Sequence, residues 1–380
     1  MATDPGMEMA IEVATKIVTN IFESAAGSIG NRFSDKKKEY DFLGIAAKKY
    51  AKKLLDRYDE VKVLGMDRPV SLRSLYVRAN ILEKITARQS ASLQELEQYF
   101  DRDSRSFGVK KETVEGEAIA NKLLRFIVLG KPGAGKSTFL KYLALQSIAK
   151  DSKIKQKRLP IFISLHEYSH TKQSLMDFII KQFDICDFPE AAPFLERVLA
   201  NGKCLILLDG MDEVGQERQN EVIQEMLDFS DKYSDNQFVI SCRVAAYNHW
   251  FQRFTDVEMA DFNEDQMQQF IQNWFREEPK VGEECWKKLK GSPQLKELAT
   301  IPLLLTLLCI TYHERMDFPP NRAELYEEAI EALLKKWDSS RRIQRSEVYK
   351  HLSLIRKKQL FATIAARTFA DGQYFIPSGC

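Results

Sequence analysis

Paired cysteines are missing from this chain. Its six cysteines, Cys186, Cys204, Cys242, Cys285, Cys309 and Cys380, are scattered through 380 residues with no C-x-x-C pair. That scatter excludes a disulfide scaffold, and several of the six sit inside apolar runs as small hydrophobes of a reducing compartment. A strong net charge is missing as well: +2 leaves no whole-molecule field to draw the chain to DNA or a membrane. Long apolar stretches are absent, since the longest run, Ile301 to Ile310, is far too short to span a bilayer. No signal-peptide pattern opens the sequence, no internal repeat recurs and no low-complexity tract interrupts it. These absences predict a cytoplasmic protein, with residues 1–6 (MATDPG, ahead of Met7) read as an expression tag.

What is present is ordinary globular material, 44% hydrophobic and 29% charged, long enough for two or three domains. Residues 7 to about 60 are helical in pattern: Ile11, Ala14, Ile17, Val18, Ile21 and Phe22 recur at three- and four-residue spacing until Gly27 and Gly30. That apolar face predicts packing against the following helix; the rival reading is an interfacial helix over residues 9–27 that perturbs membranes on clustering. The lysines of the next helix, Lys48, Lys49, Lys52 and Lys53, read as a solvated face. They and the cluster at 36–38 lack interleaved base-stacking aromatics apart from Tyr40 and Tyr50, so no nucleic-acid partner is expected. Residues 61 to about 121 are mixed, with a strand-like Leu75-Tyr76-Val77.

From about residue 122 the period changes. Short apolar runs, Phe126–Leu129, Ile161–Leu165, Cys204–Leu208 and Phe238–Ile240, alternate with helical stretches at 138–149, 174–183 and 217–230. Strands apolar on both faces, alternating with helices, predict an α/β fold with a parallel sheet covered on two sides. After about residue 263 the strands stop. Helical periodicity continues through 263–275, 293–300, 303–314, 321–338 and 346–369, broken at Pro293, Pro302, Pro319 and Pro320.

The chemistry is carried by GKPGAGKS, Gly130 to Ser137. An incoming strand, a loop of Gly130, Gly133 and Gly135 and an outgoing helix let backbone N–H groups and a helix dipole converge on phosphates. Gly130, Lys131, Pro132, Gly133, Ala134, Gly135, Lys136, Ser137 and Thr138 are the candidate cradle; Lys136 is assigned to the β- and γ-phosphates and Ser137 to Mg²⁺. A second run, CLILLDGMDE, is an apolar strand ending in carboxylates: Asp209 fits the second Mg²⁺ ligand, and Asp212 with Glu213 the pair that orients an attacking water. A third strand delivers Arg243 to the same edge, where it can sense or stabilise γ-phosphate charge.

One motif competes. HEYSH, His166 to His170, has the H-E-x-x-H spacing of a zinc protease. Two histidines four apart share a face only on a helix, and the next helical run begins near Ser174, so HEYSH is expected to be an exposed loop leaving a strand. Candidate third ligands, Glu190 and Glu196, flank Pro189 and Pro193. The prediction is no zinc.

Taken together, GKPGAGKST, LILLDGMDE, ISCRVAAY, IPLLLTLLC and RAELYEEAIEALLKKWD resemble the bacterial branch of the NACHT ATPases, STAND-class P-loop NTPases related to the NOD-like receptors. The resemblance covers roughly residues 70–375. It implies that Lys136, Asp209, Asp212 and Glu213 bind and turn over Mg-ATP, that Arg243 holds the sensor 1 position, and that Pro302 packs near the base. Tyr76 and Val77 match the stretch bordering adenine, while Val244 stands where many animal relatives have proline. The implied organisation is an N-terminal helical effector or adaptor region (1–70), a nucleotide-binding domain (71–262), a helical domain (263–320) and a winged-helix domain (321–380). The chain stops at Cys380, ahead of the winged-helix histidine that clamps ADP in relatives, so that domain is expected to be incomplete and the C-terminal sensor absent. Relatives rest closed with ADP and oligomerise with ATP, and bacterial members are associated with defence against phage. The expectation is therefore a slow ATPase acting as an assembly switch; the alternative is a nucleotide-binding scaffold without significant turnover.

Overall fold

Short runs of apolar residues cannot satisfy their backbone alone, and in this chain they do so by pairing side by side. The computed structural model describes residues 5–26, 36–61, 70–82, 100–101, 106–107, 113–184, 191–247, 251–319, 324, 327, 330–331 and 353–370. Most of the expected winged-helix domain, most of the 1–6 tag, Glu190 and Cys380 lie outside the described residues. The central sheet has seven strands: β1 (Asn80–Leu82), β2 (Thr113–Glu115), β3 (Arg125–Gly130), β4 (Leu159–Ser164), β5 (Cys204–Asp209), β6 (Gln237–Arg243) and β7 (Thr255–Met259). Their spatial order is β2-β1-β7-β3-β6-β5-β4. The last five in that order run parallel to one another, whereas β1 runs antiparallel to both β7 and β2.

Register follows from burial. Phe126, Ile127, Val128 and Leu129 of β3 are all buried, as are Leu205 to Leu208 of β5, because helices cover both faces. Burying each such side chain contributes on the order of 1.5–3 kcal/mol, so a slip of one residue gains nothing and the strands lock where their ends match. Arg243 of β6 therefore stands opposite Gly130 of β3, and Ser164 of β4 opposite Asp209 of β5. The carboxyl ends of four strands meet along one edge, the place where open α/β sheets bind ligands.

The helices around this sheet are α1 (Pro5–Ala26), α2 (Lys36–Tyr58), α3 (Gly116–Lys122), α4 (Lys136–Ser147), α5 (Leu165–Ser169), α6 (Leu175–Asp184), α7 (Ala191–Ala200) and α8 (Gln216–Lys232). Ala14, Val18 and Ile21 make one buried stripe on α1, which packs along α2 and against α7. The apolar face of α1 is thus spent on the protein's own core, and no described helix is long and apolar enough to cross a membrane. On α2, Tyr50 stacks on Phe183 with ring centroids 4.6 Å apart, and its hydroxyl donates to the carbonyl of Pro160 in β4 at 2.6 Å. β4 is the outermost strand on that side of the sheet.

The described chain divides into two compact units: Met1–Val61 with Ser71–Gln266, and Lys62–Val70 with Met267–Cys380. After β7 it is helical: α9 (Glu264–Trp274), α10 (Pro279–Lys290), α11 (Pro293–Ala299), α12 (Pro302–Arg315) and α13 (Leu354–Ala370). Three prolines open helices. Pro279, Pro293 and Pro302 each occupy the first turn of a helix, where a missing N–H costs nothing. The strand-like Leu75-Tyr76-Val77 is not a strand: Leu72–Leu75 forms one helical turn, the Tyr76 N–H donates to the Leu72 carbonyl at 2.8 Å, and pairing begins only at Asn80.

Gly116, at the start of α3, is held tightly. A β-carbon there would stand 2.5 Å from the ring of Phe139, a buried residue of α4. Gly116→Ala is expected to lose about 1–3 kcal/mol. In a domain of this size that lowers the melting temperature by several degrees, measurable by a thermal scan.

Candidate phosphate-binding site

β3 ends at Gly130, and residues 131–135 turn the chain into α4. The turn needs backbone dihedrals that side chains disfavour: φ is +77° at Gly133 and +89° at Gly135, the residue that caps α4. Gly135 accepts the Phe139 N–H at 2.8 Å, and the Ala134 N–H donates to the Lys131 carbonyl at 3.2 Å, so the loop is a closed curl. The first N–H groups of α4 have no intrahelical acceptor, and with the curl they form a concave ring of donors suited to an anion. Lys131 and Pro132 are exposed, as are the side chains of Ser137 and Thr138, while Ala134 is buried.

Around this ring stand the other candidates. Lys136 Nζ donates to the carbonyls of Gly130 at 2.9 Å and Lys131 at 3.1 Å. Burial pulls its pKa down, and Asp212 pulls the other way. Ser137 Oγ donates to Asp209 Oδ1 at 2.9 Å. Two hard oxygens meeting at the mouth of a phosphate loop suit Mg²⁺, which takes one or two protein oxygens and shares the rest with phosphate and water. Arg243 is turned onto Asp212: its N–H donates to Oδ1 and its Nε pairs with Oδ2, each at 2.9 Å. Glu213 follows on a 3-10 turn, Met211–Glu213, made possible by Gly210 at φ +83°. Glu213 reaches solvent, yet partial burial first, and Asp212 and Asp209 after it, raise its carboxyl above the ordinary range.

Of the residues read from sequence, then, Gly130 to Thr138, Asp209, Asp212, Glu213 and Arg243 lie together along one sheet edge. Tyr76 and Val77 lie farther along α4. Tyr76 stacks on Tyr142 with centroids 3.9 Å apart, Val77 is buried, and the Tyr142 hydroxyl donates to Glu117 Oε1 at 2.9 Å. Pro302 belongs to the second unit, at the start of α12.

Sequence reasoning passed over Ser241. Its Oγ donates to Asp209 Oδ1 at 2.6 Å and accepts the Gly210 N–H at 2.9 Å. The signal was there: a lone hydroxyl inside the apolar run FVISC has to find partners when buried.

HEYSH needs a correction. It is not a loop, because Leu165–Ser169 is a helical turn, capped by Ser164 accepting the Glu167 N–H at 3.3 Å. Five residues are too few to show a helical period, and the turn is anchored instead by Tyr168, which is fully buried and bonds Glu225 through its hydroxyl. The rings of His166 and His170 do approach, with centroids 4.7 Å apart. Among the described residues, no group of three or more histidine, cysteine or acidic side chains is placed to hold a metal ion. The turn carrying His166 packs beside the acidic turn Met211–Glu213. Cys204, Cys242, Cys285 and Cys309 are free and buried; burial, with Asp212 behind it, pushes the Cys242 thiol up to about 12.

Residues 124–278 match the family described as the NACHT domain. No curated protein sequence matches the chain. Among solved structures, a RuvB variant of Thermotoga maritima is similar with a TM-score of 0.30 and 14% identity, covering 58% of this chain and 65% of that one. Domain III of the Thermotoga maritima replication initiation protein DnaA gives 0.31 and 12%, covering 58% and 87%. C. elegans PCH-2 gives 0.32 and 12%, covering 56% and 62%.

Proposed function

We propose that this chain, whose residues 124–278 match the NACHT domain family, binds and hydrolyses nucleotide and is an ATP-dependent assembly switch of the STAND class. The observation that carries the reading is the convergence of four strand ends on one glycine-curled loop, bringing Lys136, Ser137, Asp209, Asp212 and Arg243 together. In this reading the backbone N–H groups of residues 131–138 hold the phosphates and Lys136 bridges the β- and γ-phosphates. Ser137 and Asp209 hold Mg²⁺, which when bound neutralises phosphate charge. Glu213, beside Asp212, orients the attacking water, and Arg243 answers to the γ-phosphate. By the family resemblance, Tyr76 and Val77 serve the base.

Hydrolysis is slow, and the nucleotide acts by binding two conformations with different affinity. The ATP form self-associates, and the helical region at 1–70 is the output element, with 71–262, 263–320 and 321–380 as nucleotide, helical and winged-helix domains. A cytoplasmic role in antiphage signalling is the setting this reading favours, with a trigger outside the chain.

Mass spectrometry of the small molecule that copurifies with the chain, with binding measurements on added ADP and ATP, tests the proposal. Recovery of an adenine nucleotide is expected. A wild-type protein that neither retains nor binds any nucleotide would end it.

A further inference from the structure

Asp209 is the carboxylate assigned to Mg²⁺, and one of its oxygens carries an unusual load. Oδ1 accepts two hydroxyls, Ser137 at 2.9 Å and Ser241 at 2.6 Å. The two donors differ in kind. Ser137 is exposed on the phosphate-loop helix, and its oxygen is the one a cation would take. Ser241 is 1% exposed in the middle of the sheet, and its oxygen already accepts the Gly210 N–H at 2.9 Å. A serine hydroxyl has a single hydrogen. With its lone pair engaged by Gly210, that hydrogen is directed at Asp209.

Ser241 therefore ties two things at once. It fixes the plane of the Asp209 carboxylate, and it anchors the N–H of Gly210, the residue whose left-handed turn sends the chain on to Asp212 and Glu213. When Ser137 turns its oxygen to a cation, the Ser241 hydroxyl is the donor that stays. We infer that Ser241 is a positioning residue that holds Asp209 in the orientation that binds Mg²⁺ with the nucleotide. The inference rests on the ATP-binding reading above and deepens it, since it concerns the metal rather than the phosphates. Outer partners of metal ligands are worth about ten- to a hundredfold in metal affinity.

The test compares wild type, Ser241→Ala and Ser241→Thr by equilibrium binding of a fluorescent ADP analogue, titrated with Mg²⁺ and repeated in EDTA. Ser241→Ala is expected to raise the Mg²⁺ half-saturation about ten- to a hundredfold while leaving affinity in EDTA unchanged. Ser241→Thr keeps the hydroxyl and is expected to titrate like wild type. A merely structural serine would change affinity in both media. The inference is overturned if Ser241→Ala titrates like wild type, if it loses EDTA affinity as well, or if the threonine variant fails alongside it. Wild type that binds no nucleotide in either medium would instead remove the ATP-binding reading, and this inference with it.

Discussion

Lys136→Ala is expected to weaken nucleotide binding by about a hundredfold or more, to the point where nothing copurifies. Charge-assisted hydrogen bonds contribute about 1.5–3 kcal/mol each, and an ammonium bridging two phosphates makes at least two, against the roughly 2.8 kcal/mol that a hundredfold represents. The net figure is smaller than the gross one, because Lys136 must first leave the carbonyls of Gly130 and Lys131. The fold should survive. Burial already disfavours the charged lysine, so its removal relieves a desolvation cost even as it frees two carbonyls at the loop. Isothermal titration with ADP, beside a thermal scan, separates the two effects: affinity collapses while the melting temperature stays near that of wild type. Tight ADP binding by the alanine variant would contradict the role given to this residue.

Glu213→Gln is expected to do the opposite, keeping nucleotide and losing turnover. General-base assistance is worth about 10²–10⁴-fold, so single-turnover hydrolysis should slow by a factor in that range while ADP affinity stays level. The pH dependence carries the sign. Partial burial, then Asp212 and Asp209, raise this carboxyl above its ordinary 4.5, and a base works only when deprotonated. Wild-type turnover should therefore fall as pH drops through that raised value, and the glutamine variant should lose this limb of the profile. Stability moves the other way. A carboxyl whose folded pKa is raised binds protons more tightly in the folded state, so its contribution declines as pH climbs from 4.5 through the raised pKa. A glutamine variant that hydrolyses ATP at the wild-type rate would show the base lies elsewhere.

The sheet was legible wherever strands are apolar on both faces. Phe126–Leu129, Cys204–Leu208 and Phe238–Ile240 fall within β3, β5 and β6, differing only at polar ends such as Asp209 and Arg243. β7 was not, because its sequence TDVEM alternates like a surface strand and yet Glu258 is buried. Among the helices, α7 was hidden by Pro193 in its first turn, and α10 by the lysines and glutamates that outnumber its buried Gly282, Cys285 and Leu289. The glycine curl between β3 and α4 was legible because its signal is local: one strand, one curl, one helix start. Ser241 was not, because its partners Asp209 and Gly210 are about thirty residues away and only sheet pairing brings them beside it.

Tyr50 has a consequence beyond the contact it makes. The outer margin of a sheet is a row of unspent hydrogen-bonding groups that invites a stranger's strand, and nature commonly blocks it with proline or a covering helix. β4 has both, Pro160 within it and α2 laid against it, with the tyrosine hydroxyl seated on that very carbonyl. The amino-terminal helices thus act as a guard rail. A chain stripped of them would carry an open flank ready to zip to its neighbours, and clumping from that cause would mimic regulated assembly.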